Sequence, residues 1–145
     1  MLFRSAQLRK GDIDQARSAA GRLVRLQPDS AAAQHALAMA EVKAGNRRTA
    51  ARCFQKAVDL APENAIYHRD LGVALYALGR TDDAAEQYRE VVRLSPGDGQ
   101  AHFNLAALLL MQRNAPKDEA RAMYEKALQL GEAKDASIER KLAAP

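Results

Sequence analysis

The chain has no tryptophan, one cysteine, three phenylalanines and four tyrosines in 145 residues. A lone Cys53 closes no internal disulfide, and without a second cysteine there is no CxxC pair for zinc or redox chemistry. No stretch reaches the roughly 20 apolar residues of a membrane-spanning helix. The opening MLFRSAQLRKG meets a charge too early for the apolar core of a signal peptide, so the cytoplasm is the default compartment. Five prolines and eight glycines are too few, and too regularly placed, for a low-complexity linker. What abounds is Ala, Leu, Arg, Gln and Glu, the residues of helices packed through small side chains. The composition predicts an all-α fold, and the length a single domain over residues 1–145.

The formal charge of +4 is unevenly spread. Residues 1–28 hold Arg4, Arg9, Lys10, Arg17, Arg22 and Arg25 against Asp12 and Asp14, so the basic character belongs to the N-terminal end, while residues 63–96 are net acidic. Such a basic end could meet nucleic acid, acidic lipid or an acidic protein. Its bases are scattered without interleaved aromatics or a nucleic-acid motif, so solvated helix faces are the plainer reading and nucleic-acid binding the weaker alternative.

Pro28, Pro62 and Pro96 stand 34 residues apart, each closing a segment that ends in Leu: RLVRLQP, KAVDLAP and EVVRLSP. Gly11, Gly45 and Gly79 recur in the same frame, as do Ala16, Ala50 and Ala84. Two residues past each proline stand Ser30, Asn64 and Asp98, whose side-chain oxygens suit a helix N-cap. Between these marks each unit reads as two amphipathic helices. Small residues at Ala38, Gly72 and Ala106 let a helix pair approach closely, and Phe54, Tyr88 and Tyr124 fill the gap to the next pair. Each pair leaves an apolar face that only a neighbour can cover.

A 34-residue unit of this kind, with small residues at its eighth and twentieth places, an aromatic at the twenty-fourth and Pro at the thirty-second, resembles the tetratricopeptide repeat. The resemblance implies a right-handed superhelical solenoid of about eight helices plus a short capping helix. Its units would be a partial first repeat over 1–30, repeats over 31–64 and 65–98, a repeat over 99–132 with two inserted residues, and a cap over 133–145. The first unit begins near the family's fifth position, either cut within a repeat or opening on a worn cap. In the fourth, Arg113 stands where Gly is usual, Pro116 opens the next helix and Gly131 is a plausible end signal. In DASIERKLA, Ile138 and Leu142 would cover the last repeat.

The resemblance also implies that first helices line a concave groove. The lining would include His35, Met39, Val42, Lys43, Ile66, Arg69, Asp70, Val73, Tyr76, Gln100, Phe103, Asn104 and Met111, with Leu110 in its apolar strip. The family's carboxylate clamp for chaperone tails is absent, since its places hold His35, Met39, Asp70, Gln100 and Asn104. An apolar strip flanked by hydrogen-bonding groups fits an amphipathic helix or an extended peptide.

Three constellations invite chemistry. His68 and His102 are one repeat apart, on the order of 10 Å, whereas ligands of one zinc each lie about 2 Å from it; a packing role suits them better, and His35 is not in frame with either. Asp82, Asp83, Glu86 and Glu90 open a helix, where acids complement the exposed N–H groups, and Glu86 can pair with Arg89. Cys53 beside Phe54 reads as a small helix-face residue. No nucleophile-base pair, phosphate loop or HExxH is present, and nothing asks for a cofactor or metal. The expectation is a non-catalytic module that holds another protein or peptide, a second copy of itself included. The alternative is a structural spacer in a larger array.

Overall fold

The computed structural model describes residues 2–144, with side chains from residue 10 onward; the side chains of Arg4 and Arg9 lie outside it. Eight helices and no strand occur among the described residues. The chain divides into two compact units, residues 1–63 and 64–145.

The first unit holds α1 (Leu2–Leu26), α2 (Ala31–Lys43) and α3 (Arg47–Leu60). Ser30 caps α2 by accepting from the Ala33 N–H. Between α2 and α3 the chain reverses within three residues. Gly45, at φ 79°, donates its N–H to the Val42 carbonyl while the next N–H, of Asn46, reaches the Glu41 carbonyl. This paired closure needs a left-handed residue, which glycine supplies without steric cost. Ala38, Ala50 and Ala57 are fully buried, and Phe54 fills the space beside them. Arg17 of α1 donates to the buried carboxylate of Glu41 at 3.2 Å, and Asn46 donates to its other oxygen at 2.6 Å.

One expectation fails in this unit. Gly11 does not turn the chain, and α1 runs unbroken through it. Glycine inside a helix costs only about 1 kcal/mol, whereas a break forfeits several helical hydrogen bonds and is favoured only where a second helix packs back on the first. The bases of residues 1–28 therefore lie on one helix rather than two.

The second unit holds α4 (Ala65–Ala77), α5 (Thr81–Leu94), α6 (Gly99–Leu109), α7 (Lys117–Gln129) and α8 (Ala136–Ala143). Asn64 and Asp98 cap α4 and α6 as Ser30 caps α2. Gly79 repeats the closure seen at Gly45, and Gly131 ends α7 by the same pair of bonds. With Arg113 in place of glycine that tight closure is lost; α6 stops at Leu109 and seven residues, 110–116, lead to α7. The core is Leu71, Leu75, Ala84, Tyr88, Val91, Leu105, Ala106, Leu109, Ala120, Tyr124 and Ala127, each buried. α8 is capped by Asp135, buries Ile138 and Leu142, and is tied down where the Asp135 N–H donates to the Tyr124 hydroxyl at 2.6 Å.

Candidate functional site

The two in-frame histidines are structural. His102 is buried with Nε2 donating to the Pro96 carbonyl at 3.1 Å, stapling α6 to the proline turn before it. Gln34, one position class with them, makes the same contact to Pro28 at 3.5 Å. His68 is buried with Nδ1 2.8 Å from Gln87 Oε1 of α5. Among the described residues no cluster of His, Cys, Asp or Glu is arranged to hold a metal ion.

In the first unit the expected lining residues lie on α2. Met39, Val42 and Lys43 are exposed, whereas His35 is half-buried with its ring 5.4 Å from that of Phe54, tilted by 55°. In the second unit Ile66, Val73 and Tyr76 of α4 and Met111 beyond α6 are all exposed by about half, at 51, 53, 49 and 48%. The core of the unit leaves these large apolar side chains uncovered.

Between α4 and α6 this surface sinks into a cavity of about 250 Å³ lined by Val73, Tyr76, Tyr88, Asn104, Ala107, Leu108 and Met111. That is below the roughly 300 Å³ at which small-molecule pockets begin, and suits a large apolar side chain of a docked chain. A polar rail runs beside it. Gln100 Nε2 donates to Asn104 Oδ1 at 3.0 Å, and Asn104 Nδ2 donates to the Tyr88 hydroxyl at 3.4 Å. Burial pushes the Tyr88 phenol above its ordinary value, against the smaller opposing effect of the Asn104 hydrogen bond, so it stays neutral. Arg69 and Asp70 stand side by side on α4, 3.9 Å apart.

Leu110 is buried and lines a second cavity of about 220 Å³ between α6 and α8 with Phe103, Met111 and Ile138. Phe103 is half-buried with its ring 6.2 Å from that of Tyr124, so it belongs partly to the core. Tyr88 stands in the sequence as a packing residue, and no spacing along the chain reports the contact of its hydroxyl with Asn104.

No helix among the described residues is long and apolar enough to cross a membrane. A search of curated proteins gives no match. Among solved structures, MamA MSR-1 superposes with a TM-score of 0.69 at 26% identity, covering 86% of this chain and 71% of that one. The O-GlcNAc transferase of Thermobaculum terrenum gives 0.68 at 27% identity, covering 87% of this chain and 24% of the transferase. The first TPR of Spaghetti, bound to an HSP90 peptide, gives 0.64 at 21% identity, covering 78% of this chain and 87% of that one, a likeness of fold alone. The tetratricopeptide repeat model matches residues 5–41, 35–99 and 75–138. Capped helix pairs in a 34-residue frame, and a family match running from residue 5 to residue 138, place the chain in the tetratricopeptide repeat family.

Proposed function

We propose that the chain is a non-catalytic interaction module that holds an amphipathic helix or extended peptide on the α4–α6 face of its second unit; within the first unit, Met39, Val42, Lys43 and half-buried His35 occupy the groove positions of the repeat on α2. The observation that carries this is the set of half-exposed Val73, Tyr76 and Met111 around a cavity of about 250 Å³. Burying such side chains contributes about 25 cal/mol per Å² of apolar surface removed from water, so the face gains by being covered. Asn104, Gln100, Arg69 and Asp70 give a peptide backbone or flanking side chains their hydrogen bonds, and Ile66 extends the apolar margin. An acidic chaperone tail is not the proposed ligand, because the cationic and amide set that would grip two carboxylates is replaced by His35, Met39, Asp70, Gln100 and Asn104.

Panning random peptides displayed on phage against the chain tests this reading. Sequences with apolar anchors at helical or alternating spacing are expected to enrich, and to be lost on a Tyr76→Glu, Met111→Glu variant. Failure to enrich any sequence, or enrichment indifferent to the two substitutions, favours the spacer reading, in which the repeats set distance within a larger array and the face carries no ligand.

A further inference from the structure

Two helices of this chain carry one charge pattern with opposite sign. On α3, Arg48, Arg52 and Lys56 recur at every fourth residue; on α5, at places 34 residues further on, stand Asp82, Glu86 and Glu90. All are exposed except Glu90, which is half-exposed. Four residues span about 6 Å of helix, so each stripe is about 12 Å long and the two have matched spacing. On α7 the corresponding places, two residues later in frame, hold Asp118, Ala122 and Lys126, and no stripe of one sign forms.

The folding of α3 does not account for its stripe. Like charges four residues apart on a helix repel. Arg47 and Arg48 also occupy the first turn, where exposed N–H groups favour acids, and where α5 places Asp82 and Asp83 and α7 places Asp118 and Glu119. The one acid on α3, Asp59, accepts from Gln55 at 2.9 Å. The stripe therefore costs α3 stability, and an acidic surface laid along it would offset that. On α5, Glu86 and Glu90 lean on Arg89 and Arg93, but Arg89 is also held by both oxygens of Glu119, and the helix keeps four carboxylates against two guanidinium groups.

We propose that the partner is a second copy of this chain, the α3 stripe of one copy lying along the α5 stripe of another with Arg52 opposite Glu86 at the centre. The acidic helix that matches the α3 spacing is the one this sequence itself supplies. The two stripes are different surfaces, so the contact is heterologous and every copy offers one of each. Its ion pairs are solvent-exposed, so association is weak, concentration-dependent and screened by salt.

Sedimentation velocity at about 0.02 M and about 0.5 M salt tests the proposal. The wild-type chain is expected to gain mass with concentration at low salt and to return to monomer at high salt. Reversing the basic stripe (Arg48→Glu, Arg52→Glu, Lys56→Glu) or the acidic one (Asp82→Arg, Glu86→Arg, Glu90→Arg) should abolish association, and mixing the two variants should restore it. Circular dichroism checks their helicity, and the milder Arg52→Gln and Glu86→Gln, which keep the fold's packing, should each weaken association severalfold. The proposal is overturned by a wild type that stays monomeric at low salt, by association indifferent to the reversals, or by a mixture that fails to associate. A duplex oligonucleotide bound through the α3 stripe by a wild type that stays monomeric assigns the stripe to a phosphate partner instead, and equally overturns it.

Discussion

Arg89 of α5 donates through Nε and Nη2 to both carboxylate oxygens of Glu119 on α7, at 2.7 and 2.9 Å. This two-point contact holds Glu119 below the usual carboxylate range and raises Arg89, with partial burial opposing both shifts. The groups are about one-third exposed, so water screens the pair, and Glu119→Gln should cost under about 1 kcal/mol at neutral pH. Because the folded-state pKa of Glu119 lies below its unfolded value, the contribution is full above that unfolded value and fades as pH falls through the folded one. Thermal midpoints of wild type and variant should therefore differ at pH 7 and converge in strong acid. A gap that persists in acid would assign the loss to packing.

A methyl group on Gly72 would sit 3.0 Å from Cδ2 and Cε2 of the buried Tyr88 ring. Gly72→Ala gains about 1 kcal/mol of helix propensity, while overpacking costs about 1 to 3 kcal/mol, so a net loss near 1 kcal/mol is expected in urea unfolding. Shortening the ring in a Gly72→Ala, Tyr88→Leu double variant should make the alanine favourable. If Gly72→Ala alone stabilises, the ring moves more freely than its burial implies.

The thiol of Cys53 is buried, and burial pushes its pKa up more than the neighbouring Arg52 and Lys56 pull it down. The thiolate is the reacting form. Labelling by a disulfide reagent should be slow in the folded chain and accelerate by orders of magnitude in urea. Equal rates in both would show that α3 opens readily.

The C-terminal helix is capped by Asp135. Asp135 accepts from the N–H groups of Ser137 and Ile138, and its own N–H donates to Tyr124. Asp135→Ala should cost about 1 kcal/mol and raise amide exchange across α8 before α6 or α7 responds. Uniform exchange across the unit would mean that α8 is not separately held.

Much of this fold could be read from marks that act locally. Ser30, Asn64 and Asp98 cap the helices they precede, and Gly45, Gly79 and Gly131 close helices, because capping and left-handed turns depend on a few adjacent residues. Gly11 shows the limit: the same residue in the same frame stays helical where no packed hairpin draws it out. The apolar margin of the α4–α6 face was legible because repeat register fixes which side of a helix a residue occupies. The burial of Leu110 was not legible, because the cavity it lines is closed on one side by α8, a helix 26 residues further along the chain. The contacts Arg17–Glu41, Arg89–Glu119 and Asn104–Tyr88 join different helices, and no spacing along the chain reports them.

The central claim is that the α4–α6 face holds a peptide. Titrating the isotope-labelled chain with a peptide selected by panning, and following each backbone amide by NMR, tests it most directly. Shifts should concentrate at Val73, Tyr76, Asn104, Ala107 and Met111, and vanish on the Tyr76→Glu, Met111→Glu variant. Shifts confined to α1 or to the outer faces of α5 and α7, with the variant binding as well as wild type, would contradict the claim.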